Sequence, residues 1–326
     1  MSEPILSIRN LTVEIPTRQG ILRPVNGVSY DIGRGEILGV VGESGAGKSM
    51  AGNAVIGLLS PPARIAEGEI HVNGARIDQL KGDAMRRLRG KEIGMVFQDP
   101  LTSLNPLLRI GDQLTETILA HLPLSRSQAE ERAVQALDEV GIPGAAERVN
   151  SYPHEFSGGM RQRVVIALAL CAEPSLIIAD EPTTALDVSV QAQIIALLKQ
   201  LCRNRGTAVM LITHDMGVIA EAADRVAVMY AGKLVELGPV REVLTTPRHP
   251  YTDGLMGSTP LASRGKDRLH QIPGAMPRLD SLPQGCAFHP RCPYAQAQCK
   301  ADPAPKLNEG EGAACWFPLP HATKVA

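Results

Sequence analysis

Short, unbroken apolar runs alternate with polar, glycine-rich or periodic stretches over the first 240 or so residues. Residues 36–41 (Glu-Ile-Leu-Gly-Val-Val), 93–97, 175–179 and 207–213 have the length and composition of strands buried on both faces. Val13, Val25, Val28 and Val72 also suit strands, so residues 5–77 read as an antiparallel β portion interrupted by a helix at 50–59. Residues 101–172 read as largely helical, ending in a helix from 160 to 172. A helix at 188–205, closed by Gly206, separates the last two apolar runs. Strand, helix and strand in that order imply a parallel sheet. Residues 225–238 read as a hairpin around Ala231-Gly232. From Thr246 onward prolines recur and periodicity fades, which predicts a small, loop-rich extension too poor in apolar residues to order itself without a staple.

The chemistry sits at the ends of these runs. Gly42-Glu43-Ser44-Gly45-Ala46-Gly47-Lys48-Ser49 fits G-x-x-x-x-G-K-S between a strand and a helix, the context that gives this motif its meaning. Backbone N–H groups of Gly42, Ser44, Gly45, Ala46 and Gly47 are expected to cradle phosphates, with Lys48 on the β- and γ-phosphates and Ser49 on Mg²⁺. Asp180 ends the 175–179 run and is a second candidate for Mg²⁺; Glu181, one residue on, is the candidate base for an attacking water. Ser157, Gly158 and Gly159 open a helix, where unpaired N–H groups and the helix dipole favour an anion. By itself this second glycine pair is equally an ordinary capped helix start.

Phe156-Ser157-Gly158-Gly159-Met160-Arg161-Gln162 resembles the ABC signature sequence, with Phe156 for the usual Leu and Met160 for Gln. Residues 175–181 resemble Walker B. The resemblance to an ABC nucleotide-binding domain covers about residues 5–244, with every element in family order. It implies that Gln98, after the 93–97 run, is the Q-loop glutamine that contacts Mg²⁺ or the water and faces a membrane partner. It also implies that Ala185-Leu186-Asp187 is a D-loop at a dimer interface, and that His214 is the switch histidine on the γ-phosphate. Taken alone, His214 reads better as a structural cap. The aromatic residue that usually stacks on adenine is missing from residues 13–25, where Ile15 is the apolar substitute.

Cys171 and Cys202 lie in apolar helical positions and read as packing. Cys286-x5-Cys292-x6-Cys299-x15-Cys315 gathers four thiols in a core-poor segment, which suggests a four-thiolate metal site. No tight C-x2–4-C knuckle is present, as zinc sites usually have, and iron–sulfur clusters tolerate wider spacing; zinc and free thiols remain the alternatives. His289 is a minor alternative ligand, better read as a loop residue. The segment also resembles the C-terminal extension of the oligopeptide/dipeptide ABC importer ATPases. The matching stretches are Arg248-His249-Pro250-Tyr251-Thr252, Ile272-Pro273-Gly274 and Gly285-Cys286-Ala287-Phe288-His289-Pro290-Arg291-Cys292, with Asp99-Pro100-Leu101-Thr102-Ser103-Leu104-Asn105-Pro106 after Gln98. That resemblance implies a [4Fe–4S] cluster at the four cysteines.

The expected fold is therefore α/β: a P-loop ABC nucleotide-binding domain over residues 1–244, with a mixed sheet core, an antiparallel β subdomain and an inserted helical subdomain at about 100–172. A loop-rich, metal-stapled extension follows at 245–326. The 326 residues are 44% hydrophobic with net charge −1, enough for a core and without a nucleic-acid footprint. The apolar run at 164–172 is too short to span a bilayer, and the start, Met1-Ser2-Glu3-Pro4, has no basic and apolar leader, so no secretory signal is expected. By resemblance the chain hydrolyses MgATP on the cytoplasmic face of the inner membrane. Its implied partners are a second, different ABC ATPase subunit, two membrane permease subunits and an extracytoplasmic solute-binding protein. The implied solute is a di- or oligopeptide, with nickel chelates, glutathione and sugars as alternatives within related importers. A soluble ABC ATPase of DNA repair or translation is the competing class; those proteins carry two cassettes or a basic surface, and this chain has one cassette and no charge excess. The core is expected to keep nucleotide binding whatever happens to the extension.

Overall fold

The computed structural model describes residues 3–184, 186–258, 271–307 and 311–320. In chain order the strands are β1 (Leu6–Thr17), β2 (Gly20–Ile32), β3 (Ile37–Val41), β4 (Arg64–Val72), β5 (Ala75–Arg76), β6 (Ile93–Val96), β7 (Leu176–Asp180), β8 (Ala208–Ile212), β9 (Arg225–Tyr230), β10 (Lys233–Pro239) and β11 (Gly312–Ala313). The helices are α1 (Lys48–Val55), α2 (Gly82–Leu88), α3 (Pro100–Ser103), α4 (Ile110–His121), α5 (Arg126–Glu139), α6 (Ala145–Arg148), α7 (Gly158–Leu170), α8 (Val188–Arg205), α9 (Met216–Ala222), α10 (Val240–Thr245), α11 (Pro250–Gly257) and α12 (Ala297–Ala301). These residues fall into two compact units. One comprises Met1–Leu6, Ile32–Glu36 and Val72–Leu211; the other comprises Ser7–Asp31, Ile37–His71 and Ile212–Ala326.

In the unit that contains β3, strands β2, β1 and β4 are neighbours in one sheet, and β11, β10, β9 and β3 follow in order in another. β3 runs parallel to β9, with Leu38 opposite Arg225 and Val41 opposite Val228. All five residues of β3 are buried, which is why its sequence shows no polar alternation. β9 returns as β10 through Ala231 and Gly232, both at positive φ, so the hairpin read from the sequence is formed by a tight turn that twists with its strands. β11 adds the extension to the free side of β10, with Leu237 opposite Gly312.

The extension also has a ring cluster that its composition does not announce. Tyr230 and Tyr251 lie 4.6 Å apart between ring centres, and Phe288 meets them edge-on at 5.2 and 5.4 Å. All three are buried, and edge-to-face packing adds about 0.5–1.5 kcal/mol per pair beyond the area removed from water.

In the other unit β6 runs parallel to β7, and β8 lies on the far side of β7. The helical stretch expected at 101–172 resolves into α3 to α7. Ser125 and Gln128 start α5 with a reciprocal capping box. Leu114 and Ile118 of α4 and Ala129, Ala133 and Leu137 of α5 are fully buried, and the small alanines let the two helices approach closely. α7 starts two residues earlier than its apolar run indicates, because Ser157 caps it and Gly158 is already helical. α1 likewise begins at Lys48 rather than at Met50, because Gly47 serves as its N-cap. No helix among the described residues is long and apolar enough to cross a membrane.

Cys171 and Cys202 are packed as the sequence implies. Cys171 donates to the Leu168 carbonyl at 3.3 Å and Cys202 to the Thr207 carbonyl at 2.9 Å, and both are buried. Burial pushes the Cys171 thiol up to about 12. Thiolate is the reactive form, so neither cysteine should be alkylated by iodoacetamide in native protein at mildly alkaline pH, and both should react in urea. Peptide mass spectrometry reads the result; rapid labelling of Cys171 in the folded chain would contradict this packing.

Candidate functional site

The loop after β3 is shaped by what surrounds it. Gly42 has φ 148° and Gly47 has φ 105°. A Cβ at Gly42 would collide with the Met229 carbonyl, and one at Gly47 with the Pro24 carbonyl. Both positions therefore need glycine for conformation and for space. The turn delivers Lys48, 7% exposed, as the first residue of α1. Its ammonium donates to the carbonyls of Gly42 at 2.8 Å and Glu43 at 3.1 Å, which arches the side chain back over the loop. Ser49 follows in the first turn of the helix. A loop of backbone N–H groups ahead of a helix start, with an ammonium folded over it, suits a polyphosphate.

Glu43 lies at a position the motif leaves open, yet both its N–H and its carboxylate are held from outside the loop. Its N–H donates to the Tyr251 hydroxyl at 2.9 Å. Its carboxylate receives both contacts of the Arg291 guanidinium, at 2.9 and 3.1 Å. Neither partner could be read from the sequence, because they lie 208 and 248 residues away. Ile15, the apolar candidate for the base, is half-buried on β1.

The carboxylates lie in the other unit. β7 buries Leu176 to Ala179 and carries Asp180 to its half-buried end. Glu181 then takes φ 48°, a strained conformation for a residue with a side chain and common at functional positions. The Gln98 amide donates to its Oε2 at 2.9 Å, and the Thr184 hydroxyl donates to the same oxygen at 2.9 Å. The parallel pairing of β6 and β7 ends both strands side by side, which brings together two residues 83 positions apart. Thr184 is the residue missed from the sequence; its one signal is its spacing three after Glu181. Both donors meet the same carboxylate oxygen, which orients the Glu181 side chain.

Ser157 accepts from the Met160 N–H at 3.4 Å as N-cap of α7. The two glycines beside it differ. Gly158 faces open space, as an anion site requires, whereas a Cβ at Gly159 would strike Val190 of α8. The second glycine thus answers to helix packing as well. Of the D-loop residues, Ala185 lies outside the described residues. Asp187 caps α8 by accepting from Val190 N–H at 2.9 Å, and the Ser189 hydroxyl also donates to it at 2.7 Å. The hydrogen bond from Ser189, and then that from Val190, hold its carboxyl below the usual range. His214 is exposed in the unit that contains the loop. Thr213 donates to the Val40 carbonyl at 3.2 Å, so His214 leaves the chain level with the end of β3.

Cys286, Cys292, Cys299 and Cys315 line one small cavity, with Phe288 and Trp316 among its walls. Burial raises the thiols of Cys286 and Cys292 and pushes Cys315 up to about 11. No group of three or more His, Cys, Asp or Glu among the described residues is placed to hold a metal ion as it stands, so a metal staple is not evident in the extension.

Residues 25–184 match the family model described as ABC transporter, and residues 235–299 match that of the oligopeptide/dipeptide transporter, C-terminal region. The oligopeptide transport ATP-binding protein OppD of Bacillus subtilis (strain 168) is 48% identical over 98% of this chain and 91% of its own length. The dipeptide transport ATP-binding protein DppD of Escherichia coli (strain K12) is 43% identical over 98% of both chains. Among solved structures, a dimeric ATP-binding cassette in a post-hydrolysis state bound to ADP and Pi is 29% identical with a TM-score of 0.65. It covers 72% of this chain and 99% of its own.

Gly47→Ala tests the loop geometry without reference to activity. It combines a positive φ with a collision against Pro24, so unfolding in urea should show a loss of about 2–3 kcal/mol. An unchanged midpoint would mean that the loop backbone can relax away from β2.

Proposed function

The chain belongs to the oligopeptide/dipeptide family of ABC transporter ATP-binding proteins, and we propose that it is the subunit whose ATP hydrolysis powers uptake of short peptides through membrane partners. The observation that carries this reading is the joint presence, in one chain, of a complete nucleotide cassette and the C-terminal region of the peptide-transporter branch. Near-full-length identity to OppD and DppD proteins supports the same solute class.

In this reading the N–H groups of Gly42, Ser44, Gly45, Ala46 and Gly47 hold the phosphates of MgATP, with Lys48 on the terminal pair. Ser49, Asp180 and Gln98 are the residues that would hold Mg²⁺, which neutralises phosphate charge when bound. Glu181, oriented by Gln98 and Thr184, aligns the attacking water and accepts its proton. His214 supports the γ-phosphate. Ser157, Gly158 and Gly159 present the start of α7 to the ATP of a second, different ABC ATPase subunit, so that two subunits close over two nucleotides. Most of the acceleration then comes from positioning and fixed positive charge rather than covalent chemistry.

Two membrane permease subunits and, through them, an extracytoplasmic solute-binding protein complete the assembly, and place the chain on the cytoplasmic face of the membrane. Support comes from the apolar residues around the Q-loop segment. Phe97 is 43% exposed and Leu107 is 83% exposed, on either side of Gln98 and the 99–106 stretch. Exposed side chains of this kind suit a docking surface.

Cys286, Cys292, Cys299 and Cys315 would hold a [4Fe–4S] cluster. Bound, such a cluster ties four distant positions of a loop-rich segment to one point and favours their thiolate forms.

Glu181→Gln should retain ATP binding while turnover in the assembled transporter falls by about 10²-fold or more, and Lys48→Ala should lose binding itself. Near wild-type hydrolysis by Glu181→Gln would remove that residue from the reaction. Protein purified without oxygen should contain about four irons with matching sulfide and absorb broadly near about 400 nm, and Cys292→Ser should abolish both. Zinc at one per chain, without iron, would replace the cluster by a single-ion site.

A further inference from the structure

The extension does more than decorate the cassette, because its residues close around the phosphate-binding loop. Arg291 belongs to the short turn His289–Arg291, between Cys286 and Cys292, and its side chain is 7% exposed. The guanidinium is fixed at several points. Nε donates to the Pro273 carbonyl at 2.9 Å, and Nη1 reaches both Glu43 oxygens and the Tyr230 hydroxyl at 3.4 Å. Tyr251, with its ring fully buried in the aromatic cluster, receives the Glu43 N–H. The third polar group of Glu43, its carbonyl, accepts from Lys48. Met276 also belongs to the extension, and its Cε lies 3.0 Å from where a Cβ of Gly45 would be.

We propose that Arg291, seconded by Tyr251, is a positioning residue for the phosphate-binding loop, so that the C-terminal extension sets the chain's affinity for nucleotide. The physical reason is preorganisation. A loop that binds phosphate through backbone N–H groups must hold those groups convergent before the ligand arrives. Each degree of freedom left in it is an entropic cost of binding. Glu43 is next to Gly42, a residue with wide conformational freedom, and the contacts it receives from within the G-x-x-x-x-G-K-S stretch, from Ala46 N–H and Lys48, reach only its carbonyl. An ion pair from the buried Arg291 guanidinium to the half-buried Glu43 carboxylate, together with the buried Tyr251 hydroxyl, holds its side chain and N–H from outside the cassette. Lysine could supply the charge of Arg291 but not its fork, which serves Glu43 and Pro273 together. The extension therefore governs ATP binding, against the expectation that the core keeps it independently.

The inference rests on the reading of residues 42–49 as the nucleotide site, and the experiment separates the two. MgATP binding is titrated on the full-length chain, and the KM and kcat for ATP are measured in the assembled transporter. Variants are Lys48→Ala, Glu43→Gln, Arg291→Gln, Arg291→Lys, Tyr251→Phe and the double Glu43→Gln/Arg291→Gln. Lys48→Ala should abolish binding; unchanged binding there would refute the nucleotide site itself. With that control in place, Arg291→Gln and Arg291→Lys should each weaken ATP binding about tenfold and raise KM in parallel, with kcat at saturating ATP close to wild type. Tyr251→Phe should move in the same direction by a smaller factor. In the Glu43→Gln background, Arg291→Gln should add little, because both remove the same pair. Wild-type affinity in Arg291→Lys would overturn the proposal, as would losses that multiply in the double variant, the mark of independent structural damage. If Arg291→Gln does not fold by circular dichroism, Arg291→Lys and Glu43→Gln decide on the same terms.

Discussion

The backbone at Gly42 and Gly47 runs against the carbonyls of Met229 on β9 and Pro24 on β2, with no room for a side chain at either point. The nucleotide loop is thus held from below by two sheets before any ligand is considered. β3, buried at every position, cannot shift to relieve the contact, and its parallel register with β9 fixes the height at which the loop begins. α1 starts where the loop ends, so the orientation of Lys48 and Ser49 follows from the same constraint. From above, Glu43 is gripped by Arg291 and Tyr251. A loop confined on both sides pays little entropy on binding phosphate, which is how a few backbone N–H groups can hold a highly hydrated anion.

Glu181, the proposed base, is arranged by a different device. Glu181 sits in a left-handed backbone conformation just past β7, and two neutral donors, Gln98 and Thr184, share one of its oxygens. Gln98 also opens the segment that leads to the exposed Leu107.

The four cysteines and Arg291 belong to one short stretch of chain. Cys292 is the residue after Arg291, and Phe288 joins the ring cluster that buries Tyr251. The cysteine cavity and the loop contact are therefore built by adjoining residues of the same segment. A peptide transporter subunit built this way would bind ATP fully only when its extension is assembled.

Local chemistry made much of this legible in the sequence. The unalternating runs at 36–41, 93–97 and 175–179 announced buried strands because a strand covered on both faces has no polar positions to show. G-x-x-x-x-G-K-S, Ser157-Gly158-Gly159 and Asp180-Glu181 were visible as motifs because each consists of residues adjacent in the chain. The order of these motifs was enough to indicate the family. What the sequence left open depends on distance. The aromatic cluster joins Tyr230, Tyr251 and Phe288 from three separate segments, in a stretch that composition marks as core-poor. Glu43 occupies a position the motif leaves free, and its meaning comes from Arg291, 248 residues away. Thr184 and Gln98 meet on one oxygen because β6 and β7 end together. Periodicity and motif spacing report on neighbours within a few residues. An ion pair between the loop and the extension arises from two surfaces brought into contact by folding, and only the tertiary structure can decide that.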